Sequence, residues 1–419
     1  MSSKPEITDD MLLVERSPVY GDETSSAARS GDGALIFTIH DGAQIPRHLF
    51  GERSEEVLSR PEVEAAFVHE RDWGANLVAR HLAREIDASS FVRINLARVV
   101  MDFGRFPGSS SVGMEYLRRH ALFPPIEHFL SEEDRHEILA RYYDGASQAF
   151  VQHVADKSLT VAVHTYDPRN PTDTWRPEVS LVARSLEYQL HSTMPPYIFD
   201  PLFPPELCES TCQRLLTYQA LADLERDGWY TALNYPYIMP EGSVEIRAQV
   251  WLFFRYLREC FTAAFPETCD QPGYQRVWHL LLDVVRRSAD AERLRGYLHR
   301  YREAPVELRK VFREARQAYG EIAAFLDQQR DEILAGYRFS GRRTSCLGIE
   351  VRKDLLCEID RATNTVRPRD DADAKARRIA ACIAPAVRAF LAEHAEPGRD
   401  AEAPMLDGAG GWIPPGLSA

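Results

Sequence analysis

The chain has 419 residues, enough for one large domain or two ordinary ones. Hydrophobic residues make up 44% of it and charged residues 27%, which favours a folded globular core over disorder. The 63 acidic and 50 basic side chains give a formal net charge of −13, which argues against nucleic acid or an anionic membrane surface as the main partner.

The polar, acidic residues 1–32 are expected to form a flexible leader, since they lack the apolar stretch of a secretory signal. No uninterrupted apolar run in the sequence reaches the length of a membrane span. The seven cysteines include no C-x-x-C pair and are expected to be reduced thiols. These features predict a soluble protein of the cytoplasm.

Short apolar segments rich in β-forming residues alternate with amphipathic segments in the first half of the chain. Strands are predicted at residues 34–39 (ALIFTI), at 91–92 continuing through 96–101, and at 159–168 (LTVAVHTYDP). Helices are predicted in the second half of residues 63–86 and at residues 131–155. The latter helix begins with a capping-box pattern, in which Asp134 follows Ser131 by three residues.

The second half of the chain is predicted to be mainly helical. Residues 168–205 are dense in proline and aromatic residues and are expected to be mostly loop. Helical segments are predicted at residues 248–265, 274–301 and 306–337. A further strand at residues 345–356 (SCLGIEVRKDLL) and an amphipathic helix at residues 374–395 complete the pattern.

This order predicts an α/β fold with a mixed, mostly parallel sheet flanked by helices. The predicted core comprises residues 33–244 and 343–396, with a large helical insertion, residues 245–342, before the last strand and a flexible tail at 397–419. Ligand sites of open α/β sheets form at the carboxyl ends of the strands. The polar residues at or near such ends are His40, Asp102, His164 and Glu350.

Two of the predicted strands end in a histidine, at His40 and His164. Imidazole is a natural ligand for Zn²⁺, and a catalytic zinc takes three protein ligands and leaves a position for water. The alternative interpretation of each histidine is a hydrogen-bonded structural residue. The sequence contains neither a G-x-S-x-G motif nor a P-loop or dinucleotide fingerprint, which argues against serine-nucleophile and nucleotide chemistry.

Five segments, taken in order, resemble the N-formylglutamate amidohydrolase family. They are HDGAQIP at 40–46, DWGANLVARHLA at 72–83, ARVVMDFGRFP at 97–107, VAVHTYDP at 161–168 and GIEVRKDLL at 348–356. That family is similar in fold to the zinc carboxypeptidases, with a phosphorylase/hydrolase-like core. The resemblance implies an amidohydrolase whose zinc is held by two histidines and one carboxylate.

By position, His40 and His164 match the family's histidines, and Asp72 is the candidate carboxylate ligand. A ligand three residues after the first histidine, as in carboxypeptidases, would fall on Ala43, which cannot bind a metal. The alternatives for the third ligand are Glu70 and Asp41. Because Asp72 stands just before a helical segment, it could instead be a helix N-cap.

Glu350 is the preferred candidate for the general base, because it is followed by KDLL and a terminal helix, as in the family. Glu245, in a similar Glu-Ile-Arg sequence, is the competing candidate. Arginine binds carboxylates in a bidentate fork, so arginines near the strand ends are candidates to hold a substrate carboxylate. The substrate-binding candidates are Arg105, Arg98, Arg352 and Tyr143, with Tyr235 as a further possible donor.

Gly104 stands where the family usually has an asparagine that helps to bind the substrate carboxylate, which argues against N-formylglutamate itself as the substrate. The predicted function is therefore a zinc-dependent amidohydrolase acting on a linear amide of a small N-acyl or N-formyl amino acid. The alternatives are a zinc peptidase or amidase acting on a larger peptide or biosynthetic intermediate, and a non-catalytic binding protein. The helical insertion could mediate a homo-oligomer or bind a protein partner.

Overall fold

The structure is a computed structural model. It describes residues 4–9, 11–20, 29–105, 121–122, 124–185, 200–240, 242–283, 289–300, 302–339, 343–394, 405–406 and 412–413.

The strands of the described residues are β1 (Glu6–Thr8), β2 (Val14–Pro18), β3 (Ala34–Thr38), β4 (Gln44–Pro46), β5 (Ser90–Ile94), β6 (Leu159–Tyr166), β7 (Val179–Val182), β8 (Thr231–Leu233), β9 (Ser345–Arg352), β10 (Cys357–Asp360), β11 (Thr365–Pro368), β12 (Met405–Leu406) and β13 (Trp412–Ile413). The helices are α1 (Ser54–Leu58), α2 (Pro61–Glu70), α3 (Ala75–Glu85), α4 (Pro124–Glu127), α5 (Glu132–Ile138), α6 (Gly145–Val154), α7 (Arg214–Arg226), α8 (Val244–Ala264), α9 (Pro272–Leu281), α10 (Ala289–Leu298), α11 (Arg309–Gln328), α12 (Arg330–Phe339) and α13 (Ala372–Glu393).

A seven-stranded sheet with the order β2-β5-β3-β6-β9-β7-β8 forms the centre of the fold. The four neighbours β5, β3, β6 and β9 run parallel, whereas β2 and β7 each run antiparallel to the strand that joins them to this group. All five residues of β3 are buried, as expected for a strand covered on both faces. The structure confirms the predicted mixed α/β class with a mostly parallel sheet.

Helices cover both faces of this sheet, and each face has its own apolar cluster. On one face, α3, α7 and α13 pack against residues such as Ile36 and Val161. On the other face, Phe37 and Ala162 belong to a cluster that also includes residues of α6 and α8 to α12. The helical block between β8 and β9 is thus continuous with the core. Among the described helices, none has the length and apolar character that crossing a membrane requires.

Two predictions for the amino-terminal half differ from the structure. Part of the expected flexible leader is ordered, since β1 pairs with β4 and β2 forms an edge strand beside β5. An edge strand needs only one partner and tolerates the polar residues that made this segment resemble a leader. The strand expected to continue through residues 96–101 ends at Ile94, and the chain then turns, making only isolated bridges at Leu96 and Met101.

The expected loop at residues 168–205 contains β7, and β8 was not predicted either. Both strands are short, and their sequences carry no clear alternation, so pairing with β9 and with each other defines them. The last two residues of the segment 97–107 lie outside the described residues, as does most of the expected tail. The capping box of Ser131 and Asp134 is present as predicted. The domain boundaries remain predictions.

Candidate metal centre

Three residues with metal-binding side chains meet at the carboxyl edge of the sheet. His40 follows β3 by two residues, His164 lies in the neighbouring β6, and Asp72 lies in the loop before α3. One ligand atom from each of these side chains lies within 4.8 Å of the others. They are the three residues that the sequence and the family resemblance selected, and they could hold a metal ion.

Asp72 is the buried centre of this cluster. Its Oδ2 lies 2.9 Å from Nδ1 of His164 and 3.5 Å from Nδ1 of His40, while Oδ1 accepts a hydrogen bond from Arg98 at 3.1 Å. Burial raises the pKa of this carboxyl, but hydrogen bonds from the two histidines and the charge of Arg98 hold it well below its usual range. Asp72 is therefore a carboxylate. It is not the N-cap of α3, which is Gly74.

The outer nitrogen of His40 is held by Asp102. Nε2 of His40 lies 2.8 Å from Oδ1 of Asp102, which also accepts a hydrogen bond from the Gly104 N–H at 2.9 Å. Arg98 and Arg105 pair with the other oxygen at 3.1 and 3.0 Å. Burial raises the pKa of Asp102, but Arg98 and His40 lower it well below its usual range. A histidine ligand is commonly oriented by such a carboxylate, so His40 is presented with Nδ1 toward Asp72.

Asp102 was noted from the sequence only as a polar residue near a strand end, and its contact with His40 was not predicted. The two residues are far apart in sequence and meet because β3 and β5 are neighbours in the sheet. Gly104 is part of the same arrangement. A Cβ atom at this position would lie 3.0 Å from Oδ1 of Asp102 and 3.2 Å from Cε1 of His40. Glycine therefore allows close approach of the backbone to the histidine and its carboxylate.

Both candidate bases lie near His164. Glu350 of β9 is the direct partner of His164 in the parallel register of β6 and β9. Burial raises the pKa of the Glu350 carboxyl to about 7, although the nearby imidazole of His164 lowers it. Glu245, in the first turn of α8, is 2% exposed and has Oε1 3.8 Å from Nε2 of His164. The sheet and the helical block thus each contribute one carboxylate, of which Glu245 is buried and Glu350 is partly exposed.

The predicted substrate-binding residues have different environments. Arg98 bridges Asp72 and Asp102 and donates to the Glu70 carbonyl, so its guanidinium organises the cluster. The side chain of Arg105 pairs with Asp102 and remains 22% exposed. The hydroxyl of Tyr143 donates toward the carbonyls of Arg105 and Gly242.

The remaining candidates lie outside the cluster. Arg352 pairs with Asp354 at 2.7 Å and lies 3.7 Å from Glu178. Asp41, an alternative third ligand, accepts from Arg71 at 2.8 Å and from the N–H of Asn76 at 3.0 Å. Glu70, the other alternative, contributes its backbone carbonyl to Arg98, and Tyr235 is 45% exposed. The metal-binding group within the described residues contains none of them.

The start of α8 carries Glu245, a candidate from the sequence, and two further buried polar residues that the sequence did not indicate as functional. The atoms without a hydrogen-bond partner among the described residues include Glu245 Oε2, one terminal nitrogen of Arg247 and Nε2 of Gln249. All three side chains are at least nine-tenths buried. Arg247 lies over the ring of Tyr143, with its guanidinium carbon 4.3 Å from the ring centre. Residues four apart share one helix face, so Gln249 lies on the same side of α8 as Glu245.

The donor set suits a divalent ion such as zinc. Two imidazoles and one carboxylate are a ligand combination found in catalytic zinc sites. The carboxylate is ionised, His40 has an orienting partner, and the side chains of Glu245 and Glu350 lie close by. Such an arrangement can bind a metal ion and exchange a proton beside it.

No protein-family model matches the chain, and no curated protein matches it in sequence. Two solved structures align with most of its length at low identity. The gene product Atu2144 from Agrobacterium tumefaciens is 15% identical, with a TM-score of 0.39 over 88% of this chain and 93% of that one. An N-formylglutamate amidohydrolase from Ralstonia eutropha JMP134 is 12% identical, with a TM-score of 0.47 over 91% of this chain and 99% of that one. These likenesses are too distant to assign chemistry to this chain.

Proposed function

We propose that the protein is a zinc-dependent amidohydrolase that cleaves a linear amide of a small N-acyl or N-formyl amino acid. The observation that carries the proposal is the meeting of His40, Asp72 and His164 at the carboxyl edge of the sheet, beside the buried Glu245 and the partly exposed Glu350. The order of the five family-like segments in the sequence supports the same chemistry.

His40, Asp72 and His164 would hold the metal. Bound there, a zinc ion supplies Lewis-acid chemistry, activating water for attack and polarising the amide carbonyl. Asp102 fixes the orientation of His40, and Arg98 links Asp102 to Asp72. Arg98 is therefore a positioning residue in this proposal.

Glu350 is the proposed general base. Its carboxylate accepts a proton from the attacking water and delivers it to the amide nitrogen, which leaves as an amine. A pKa of about 7 suits both steps, because the group can take and release a proton near neutral pH. Glu245 has Oε1 3.8 Å from Nε2 of His164 and is proposed to orient the substrate amide or the water.

Arg105 is the proposed partner of the substrate carboxylate. Its guanidinium is partly exposed and lies on the loop after Asp102, close to the cluster. The buried Arg247 is a second cation on this side of the molecule, beside Tyr143. An acidic protein can bind an anionic substrate through such a local concentration of arginines.

A second candidate is a zinc peptidase or amidase acting on a larger peptide-like substrate. The observation that favours it is the position of α8, whose first turn brings Glu245 from the helical block into the cluster. Such a block can restrict or extend the substrate pocket. This candidate differs from the first in substrate and shares its mechanism.

The test combines metal analysis with an activity screen on purified wild-type protein, His40→Ala and His164→Ala. Wild type is expected to hold about one zinc per chain and to hydrolyse at least one N-acyl amino acid, and both variants are expected to lose both properties. An Arg226→Ala variant serves as the control, since Arg226 is an exposed residue at the end of α7 that pairs with Asp223. Absence of stoichiometric zinc from wild type after zinc is supplied would refute the hydrolase and favour a binding protein.

A further inference from the structure

The helical block contains a second, unrelated pocket that opens where α8, α9 and α11 meet. Its volume is about 320 Å³. Four aromatic rings line it: Phe261 and Phe265 at the end of α8, Tyr274 of α9 and Phe325 of α11. The ring centre of Phe325 lies 5.3 Å from that of Phe261 and 5.8 Å from that of Phe265, and both pairs meet nearly edge to face.

The charge of this pocket has one sign. Glu267 and Glu321 line it, and among the described residues no lysine, arginine or histidine does. Glu321 accepts hydrogen bonds from the hydroxyl of Tyr274 and from the side chain of Gln317, both neutral groups. Within the described part of the chain, neither glutamate pairs with a cationic side chain. The pocket therefore combines aromatic faces with carboxylates whose negative charge is not balanced locally.

The backbone adds to this negative potential. The last residues of α8, of 21 residues, and of α11, of 20 residues, both border the pocket. The carboxyl end of a helix carries a partial negative charge, which a basic side chain in the last turn commonly offsets. Neither α8 nor α11 has a basic residue in its last turn. Two helix ends thus favour a cation at the same place as the two glutamates.

The four rings of this pocket differ in their exposure to solvent. Phe265 is 39% exposed, whereas Phe261 and Tyr274 are at most 8% exposed and form the floor. The face of an aromatic ring attracts cations through its quadrupole, and quaternary ammonium groups are bound by sets of such rings. Aromatic rings with carboxylates and no basic group are the chemistry that recognises an alkylated or protonated amine.

We propose that this pocket binds a small organic cation, a quaternary or protonated amine with an apolar body. The positive group contacts the rings of Phe265 and Phe325, and Glu267 and Glu321 balance its charge. The pocket would take a ligand distinct from the amide substrate proposed for the metal centre, and the inference does not depend on that proposal.

The experiment compares choline with its neutral isostere 3,3-dimethylbutan-1-ol by calorimetric titration of the full-length protein. Choline is expected to bind saturably and at least about tenfold more tightly than the neutral compound, because both charge terms act on the cation alone. The fluorescence of Trp278, whose ring centre lies 5.8 Å from that of Phe261, provides a second readout. Equal binding of the two compounds, or no saturable binding of choline, would overturn the proposal.

Two variants locate the binding site. Phe325→Leu retains apolar volume but removes a ring and is expected to weaken choline binding about fivefold. Glu267→Gln alters an exposed side chain, cannot disturb the core and is expected to weaken binding severalfold. Tyr218→Leu, on the exposed side of α7, is the matched control and is expected to bind as wild type does. Undiminished binding in both pocket variants would place choline elsewhere and refute the assignment.

Discussion

The metal cluster has two halves that differ in how completely their buried polar groups are hydrogen-bonded. On the sheet side, the His40, Asp72 and Asp102 side chains are held by each other and by Arg98 in a network of short contacts. On the helix side, buried polar atoms of α8 lack partners among the described residues. A satisfied network fixes geometry, whereas an unsatisfied buried donor or acceptor is unfavourable until something binds it. From this difference we propose that the sheet carries the chemistry and that α8 contacts the substrate.

Replacing each candidate base by glutamine is the strongest test of the proposed roles of the sheet and of α8. Glu350→Gln is expected to lower kcat about 10²–10⁴-fold with zinc content unchanged, because the amide cannot accept the proton. Glu245→Gln, the matched variant on the helix side, is expected to lower kcat far less and to act mainly on KM. Steady-state kinetics and metal analysis of both variants measure kcat, KM and zinc content. A larger loss of kcat in Glu245→Gln than in Glu350→Gln would make Glu245 the general base.

Weakening the hydrogen-bond network on the sheet side should reduce the affinity for zinc. Asp102→Asn keeps the size of the side chain but removes the charge that orients His40, and zinc affinity is expected to fall about 10–100-fold. Competition with a chromophoric chelator measures the dissociation constant. Asp290→Asn, the same change at an exposed position of α10, should leave that constant unchanged, and an equal loss in both variants would show that orientation of His40 is not the cause.

The pH dependence of zinc binding should follow His164. Burial lowers the pKa of His164, but the carboxylates of Asp72 and Glu245 raise it well above its usual value in the metal-free protein. This contribution to the stability of the metal-free fold is fully present below the ordinary pKa and is lost as pH rises through the raised one. Zinc needs the neutral imidazole, so affinity should fall about tenfold per pH unit below the raised pKa, with about one proton released. Calorimetry in buffers of different ionisation enthalpy counts the proton, and a pH-independent affinity would contradict the pairing.

The smallest expected effect tests whether the buried side chain of Gln249 on α8 binds the substrate or has no functional role. Gln249→Leu is expected to raise KM about threefold to tenfold, the range of one lost hydrogen bond, while the free energy of unfolding rises by about 1 kcal/mol. Gln275→Leu, at an exposed position of α9, is the control for both measurements. A stabilised Gln249→Leu variant with unchanged KM would leave α8 without a role in substrate binding.

The sequence identified the sheet half of the site better than the helix half. His40 and His164 each end an apolar segment, and parallel strands bring such ends to one edge. The prediction of Asp72 as a metal ligand depended on the family resemblance, since its position before α3 also fits a helix cap. Glu350 followed from the same resemblance, because KDLL and a terminal helix come after it, and the structure pairs it with His164.

What the sequence missed depends on tertiary contacts. The contact of Asp102 with His40 arises from the neighbouring positions of β3 and β5, which no local pattern encodes. The start of α8 was predicted as the boundary of an insertion, yet its first turn reaches His164. The strands β2 and β7 lie in polar or proline-rich segments, where pairing with a neighbour overrides composition.

The position of β9 in the middle of the sheet has a consequence for how the chain folds. It pairs with β6 along all eight of its residues and with β7 on its other side, although it follows the entire helical block in the sequence. At roughly 5–20 residues per second, a ribosome needs on the order of 10 s or more to travel from β6 to β9. During that interval the edge of β6 is unpaired and open to pairing with other chains. Assembly of the sheet is therefore a late, long-range event, and Glu350 is the last of the proposed catalytic residues to arrive.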